Sequence, residues 1–320
     1  MDLTTTQPTD RTSPGFAPSP VEPLPHRLLA TLAQHRMATT RQLLELLRPG
    51  CSRQVVSKPL NRLLRDHLVD FLVLPRSNRT RVWYLTARGA RLTRDWPALR
   101  GRPPYPITSA TAASLRAPHS LTVLRTHLGF VADARRRGDE HDHLNWTPEV
   151  VHPIDDNEKT VADALMHYTL VDGQQRQELW AFVEVDRATM SSERLTAKLI
   201  KYARLWAYEP QPAGLRQQPA GPGWLRWYPV FPRILFVLTG TGRQAITNRI
   251  SDLQAAVAHY PLVSDLAREV PLGSASLDDL EEHGPTSDVW VPLVGGEPCP
   301  WTRLGHQTAC RTAAFGDAFA

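Results

Sequence analysis

Two stretches of this chain put carboxylates where a folded protein tolerates them least. In Val161-Ala162-Asp163-Ala164-Leu165-Met166 an aspartate interrupts an apolar run, and in Trp180-Ala181-Phe182-Val183-Glu184-Val185-Asp186 two acids close one. Both runs have the length and composition of strands. A period of two sends Glu184 and Asp186 to the same face. Acidic side chains on a buried strand are costly unless they are paired or bound to metal. Whatever fold this chain adopts must therefore answer their charge.

Charge also divides the molecule. The 320 residues suggest two domains, and the net charge of +5 at pH 7 is not spread evenly over them. Residues 25–96 carry a local +10, and residues 118–320 carry a local −6. Hydrophobic residues at 42% and charged residues at 22% exclude wholesale disorder. Residues 1–24, rich in Thr, Ser and Pro, read as a disordered tail. Residues 97–117 are Pro-rich, then small and polar, and read as a linker. The body of the second domain spans 118–262, interrupted by a Gln/Pro/Gly loop from Pro210 to Pro222, and 263–320 reads as a loosely patterned C-terminal extension. No apolar run approaches the ~20 residues that cross a bilayer, and the N-terminus lacks the pattern of a secretory signal. Cys51, Cys299 and Cys310 form neither a disulfide framework nor a CxxC site, which fits a reducing cytoplasm.

In the basic segment, Leu24, Leu28, Leu29, Leu32 and Ala33 predict a first helix at about 25–36. Thr39-Thr40 caps a second short helix that ends at Pro49-Gly50, and Ser52 opens a third with Val56, Leu60, Leu63, Leu64 and Leu68 on one face. An apolar run at 69–74, a polar turn and a strand at 81–85 follow, then a closing helix at 87–95. This is the element order of a winged helix-turn-helix. Arg53, Gln54, Lys58 and Arg62 lie off the apolar stripe of the third helix, and Arg76, Arg79 and Arg81 lie at or beside the hairpin tip. Such residues suit phosphate and base-edge contact with double-stranded DNA. Pro59 predicts a kink, or a regular helix that begins only near Ser57.

The acidic segment opens with an amphipathic helix at 119–137 and continues with three strands carrying Glu149, Asp163 and Glu184/Asp186. A helix with Leu195, Leu199, Tyr202 and Trp206 on one face follows, then an apolar strand at 233–240 and another amphipathic helix. That order implies an α/β fold around a central mixed sheet. Oxygen donors clustered at strand ends suit Mg²⁺, with Mn²⁺ as a substitute. His141 and His143 read as loop residues rather than zinc ligands, and the tryptophans read as core. No phosphate-binding Gly-rich loop or other small-molecule cofactor motif is evident.

Asp163 and Glu184 on successive strands followed by a helix resemble the PD-(D/E)xK nuclease superfamily. His119, Glu149, Val161 to Ala164, Glu184-Val185-Asp186-Arg187, Lys198 and Tyr202, taken in order, resemble more closely the bacterial plasmid replication-relaxation family. The resemblance implies a winged helix followed by a restriction-endonuclease-like α/β domain, and a role in plasmid or mobile-element replication and DNA relaxation. It implies a metal site at Glu149, Asp163 and Glu184, and catalytic roles for Asp163, Glu184, Asp186 and Lys198. The chain departs from the superfamily pattern at two points. Asp186 stands where the motif lysine is expected, and Ala162 replaces the proline before Asp163. Lys198, three residues after Leu195 and four before Tyr202, faces inward and is the candidate for a migrated lysine, with Lys201 as the fallback.

Two functions are compatible with these residues. One is a Mg²⁺-dependent endodeoxyribonuclease that nicks or cuts DNA. The other is a catalytically inactive replication accessory or transcriptional regulator whose second domain serves dimerisation or partner binding.

Overall fold

Helical spacing of apolar residues near the amino terminus produces α1 (Leu24–His35), with Leu28, Leu29 and Leu32 buried. In the computed structural model, residues 22–74, 79–99, 106–107, 109–155, 158–189, 191–210 and 221–305 are described. Most of the expected N-terminal tail, Arg76 and its hairpin neighbours, most of the 210–222 loop and Cys310 lie outside them. A short strand, β1 (Met37–Thr39), follows α1 and leads into α2 (Thr40–Leu47). Thr39 caps α2 reciprocally with Gln42: its Oγ1 accepts from Gln42 N at 3.1 Å, and its N donates to Gln42 Oε1 at 3.0 Å.

The third helix, α3 (Arg53–Arg65), begins at Arg53 and not near Ser57, and runs through Pro59. Burial of Val56, Leu60 and Leu63 holds it in place. Val55, whose carbonyl loses a helical donor at Pro59, is exposed, so water can serve it. The hairpin β2 (Val69–Val73) and β3 (Arg81–Leu85) then forms, with β1 added to give an antiparallel sheet in the order β1-β3-β2. α4 (Ala87–Thr93) closes this module, capped by Thr86 Oγ1 accepting from Gly89 N.

The expected linker is helical from Ala110 onward. α5 spans Ala110–Arg137, capped by Ser109 and ended by Gly138 in the left-handed conformation. Small side chains and the internal Pro118 obscure its first turns in the sequence. Those small side chains have a use: Ala113 and Ala117 pack on Met37, Leu72, Val82 and Tyr84. Farther along, Leu124 and Val131 enter the core of α1, α2 and α3. Val123, Phe130 and Ala134 enter the core of the second module. One helix therefore belongs to both cores.

The second module is built on β4 (Trp146–Pro153), β5 (Lys159–Asp172), β6 (Gln175–Asp186), β7 (Arg233–Leu238), β8 (Leu272–Ser276) and β9 (Val291–Pro292), adjacent in that order. β4, β5 and β6 are antiparallel, β6, β7 and β8 are parallel, and β9 runs antiparallel to β8. The chain is thus mixed α/β. α6 (Ser192–Ala207), α7 (Arg243–His259) and α8 (Pro261–Glu269) cover one face through Leu199, Tyr202, Leu253 and Leu266. α5 and α9 (Leu277–His283) cover the other.

Residues 263–305 are not an extension. They supply two sheet strands and bury Trp290 and Trp301 completely. Strand β8 escapes sequence reading because it is Leu-Gly-Ser-Ala-Ser. Its small residues serve close packing: a Cβ on Gly273 would lie 2.6 Å from the Leu304 side chain. The loop histidines also turn inward. His127 of α5 lies between His35 and Trp146, at ring separations of 5.0 Å to each, with the His141 ring 5.0 Å away at its edge. Burial, then the neighbouring imidazoles, hold His127 well below the usual imidazole range.

Because α5 is common to both cores, Phe130→Ala should cost about 3–5 kcal/mol and lower the melting of both modules together. Calorimetry should show one transition in the wild type and in the variant. Two separated transitions would mean that the modules fold independently.

Candidate functional site

The pairing of β5 with β6 stops at Ala164 opposite Val183. Beyond it, the Asp163 side chain takes over: its Oδ2 accepts from Val185 N at 2.8 Å. Glu184 lies between Val183 and Val185 and points to the other face, toward α6. Ser191 occupies the N-cap position of α6, though its side chain makes no capping bond. With Leu195, Leu199 and Tyr202 buried, Lys198 is carried toward the strand ends.

Five side chains meet there. Lys198 Nζ lies 3.3 Å from Asp163 Oδ1 and is ion-paired with Glu184 Oε2. Tyr202 OH donates to Glu184 Oε1. His119 Nε2, from α5, lies 3.4 Å from Asp163 Oδ1. Glu184 is 1% exposed, whereas Asp163, Lys198 and His119 retain contact with solvent. Lys201 is exposed on α6 and takes no part.

The shared environment drives the two carboxyls apart. Burial, reinforced by the negative charge of Asp163, pushes Glu184 up to about 8 despite Lys198 and Tyr202. Burial also acts upward on Asp163, but the His119 hydrogen bond, the Lys198 charge and the Val185 amide together bring it down to about 2. Lys198 is held above its ordinary value, since the attraction of Glu184 and Asp163 outweighs its burial. Burial raises the Tyr202 hydroxyl well above its ordinary value, with Glu184 adding to it. Two neighbouring carboxyls with opposed proton affinities form a recurrent acid–base arrangement.

The remaining candidates stand apart. Asp186 shares a face with Glu184, as its spacing predicts, but is buried against Arg249 of α7, whose Nη1 is 2.5 Å from Oδ2. Glu149 lies in β4 between the pairs Pro148/Ala164 and Val150/Ala162, hence opposite Asp163. Its carboxylate is ion-paired with Arg36, at the end of α1, rather than with Lys198. Arg36, His119, Glu149 and Asp163 line a crevice of about 10 Å³ between the modules, room for roughly one water. Among the described residues, no group of three or more His, Cys, Asp or Glu is arranged to hold a metal ion. Sequence reasoning finds Asp163, Glu184, Lys198 and Tyr202. It misses Arg36 and Arg249, which lie in ordinary helical contexts with nothing to mark their partners.

On the amino-terminal module, Arg53, Gln54, Lys58 and Arg62 are exposed along α3, and Arg79 is exposed before β3. Arg81 is half-buried. It donates to Asn61 Oδ1 at 3.2 Å and stacks 4.3 Å from the centre of the Phe71 ring, which ties the hairpin to α3.

The sequence profile of the replication-relaxation family matches residues 29–216. No curated protein matches the chain. The structure of the restriction endonuclease FokI aligns with a TM-score of 0.27 and 10% identity, over 82% of this chain and 43% of that one. This chain thus spans less than half the length of that enzyme.

The raised Glu184 carboxyl leads to a stability prediction. The folded state holds a proton on Glu184 that the unfolded chain gives up near its ordinary value of 4.5. Stability from this group is therefore complete below about 4.5 and is lost as pH rises through about 8. Urea midpoints measured from pH 5 to 9 should fall more steeply for the wild type than for Glu184→Gln. Parallel curves would place the Glu184 proton affinity in the ordinary range.

Proposed function

The chain belongs to the replication-relaxation family, and we propose that it binds duplex DNA in plasmid or mobile-element replication and cleaves a phosphodiester at the Asp163–Glu184 centre. The observation that carries this reading is the meeting of Lys198 with Asp163 and Glu184 at the ends of adjacent strands. It stands beside a crevice that the amino-terminal module also lines. A winged-helix mode of binding accounts for α3, which buries Val56, Leu60 and Leu63 and leaves Arg53, Gln54, Lys58 and Arg62 exposed. Arg79 would add a backbone contact, and Arg81 would serve chiefly to brace the hairpin.

The donor set suits Mg²⁺, which binds through one or two carboxylates completed by phosphate and water. Asp163 and Glu184 offer hard oxygens on neighbouring strands and already gather around one cation, the Lys198 ammonium. They are the residues that would hold the metal. Glu149 would join only by leaving Arg36. Bound there, Mg²⁺ would supply an activated water and stabilise charge on the phosphate. Glu184 must lose its proton to become a ligand, so activity should rise with pH toward about 8. Lys198, released from the carboxylates, would face the phosphate, and His119 would keep Asp163 ionised.

A catalytically inactive accessory or regulator is the second reading. It is favoured by the closed state of the centre, where every oxygen of Asp163 and Glu184 faces a donor or a cation.

Nicking of supercoiled plasmid with Mg²⁺ or Mn²⁺ separates the two. Asp163→Ala, Glu184→Ala and Lys198→Met should each lower cleavage by about 10²-fold or more with duplex affinity kept. Arg53→Ala with Arg62→Ala should weaken binding and reduce its salt slope by about 2. Cleavage that survives the first three substitutions would refute the assigned centre. Salt-sensitive binding without cleavage would establish the second reading, and no duplex binding would refute both.

A further inference from the structure

Two residues at the junction of the modules adopt backbone conformations that side chains other than glycine seldom take. Arg36 has φ 67° and Glu149 has φ 50°. They are ion-paired with each other across the crevice, with the Arg36 side chain mostly buried and that of Glu149 more exposed. Backbone of this kind is costly and persists where its surroundings impose it, often at functional sites.

The surroundings are explicit. Gln34 Nε2 donates to the Trp146 carbonyl at 2.5 Å and reaches Thr147 Oγ1 at 3.3 Å. His35 Nε2 lies 2.8 Å from the His143 carbonyl oxygen. Three successive residues ending at Arg36 thus hold β4 and the segment leading into it. The third of them meets the carboxylate opposite Asp163. The same α1 packs through Leu28, Leu29 and Leu32 into the core that supports α3.

A guanidinium presents a planar fork that accepts carboxylate and phosphate in the same way. The crevice is open to solvent at its mouth but has room for only about one water, so a phosphate reaching Arg36 must displace the Glu149 carboxylate. We infer that Arg36 is a phosphate ligand of the Asp163 centre, supplied by the amino-terminal module and stored on Glu149 until a DNA phosphate takes the carboxylate's place. The exchange widens the crevice and brings the phosphate beside His119 and Asp163. Glu149 acts as an internal competitor with DNA, and α3 and Arg36 engage one duplex because they belong to one packed module. This rests on the DNA-binding reading above.

The test is anisotropy of a labelled DNA duplex with the full-length chain over a range of salt. Arg36→Ala should weaken binding about 3–10-fold and reduce the magnitude of the salt slope by about 0.9. Glu149→Gln should tighten binding by a similar factor, and the gain should vanish in the double variant. Arg36→Lys, which keeps the charge and loses the fork, should keep the slope and lose part of the affinity. Opposite signs for Arg36→Ala and Glu149→Gln are the signature. A merely structural tie predicts that both weaken binding, or that neither changes it, while both lower the melting temperature. That result with wild-type binding intact overturns this inference alone. Absence of wild-type binding overturns the DNA-binding reading and this inference with it.

Discussion

Asp163 and Glu184 sit on neighbouring strands with Lys198 between them, and that ammonium, with the proton Glu184 holds up to about pH 8, lets the two carboxyls lie so close together in the interior. The requirement reaches well beyond the three side chains. It fixes the rotation of α6, since Lys198 points inward only if Leu195, Leu199 and Tyr202 do. It recruits Tyr202 to the second oxygen of Glu184, and His119 from α5 to Asp163. The same problem is solved separately one step along β6, where Arg249 of α7 answers Asp186. Two helices on one face of the sheet are each held by a cation against a strand-end acid. Pairs of this kind are weak sources of net stability, but removing one partner is expensive. They act more as determinants of arrangement than as glue.

The other organising feature is α5. Its Leu124 and Val131 lie in one core and its Phe130 and Ala134 in the other. The basic module is therefore seated on the acidic one and not hung from a tether. This bears on how a +10 segment and a −6 segment coexist. The acids of the second module that approach the junction are already occupied, Asp163 by Lys198 and His119 and Glu149 by Arg36. Arg53 and Arg62 of α3 face solvent.

Much of the centre is legible in the sequence because it breaks local rules. An aspartate within Val-Ala-Asp-Ala-Leu-Met and a glutamate ending Trp-Ala-Phe-Val have no reason to be there as core residues, and Lys198 is placed by its spacing from Leu195 and Tyr202. The parts that obey local rules, or have no pattern, stay hidden. Arg36 and Arg249 are ordinary helix-end and helix-face arginines until the tertiary fold supplies their partners. β8 is too small-sided to show a period, and its place in the sheet depends on close approach by Leu304. Ala110 to Ala117 reads as linker because alanine and serine carry little amphipathic signal, yet small size is what lets α5 lie against the antiparallel sheet. His141 and His143 read as loop residues and are instead buried, with the His141 ring against His127, which itself stacks on Trp146.

The central claim is that Glu184 and Lys198 are energetically one unit. A double-mutant cycle by urea denaturation at pH 9, where Glu184 is ionised, measures this directly. The account predicts that Lys198→Met costs about 3–5 kcal/mol with Glu184 in place, and less than that by more than about 1 kcal/mol when Glu184 is replaced by Gln. Costs that add within about 0.3–0.5 kcal/mol would show that the two residues are independent and would contradict it.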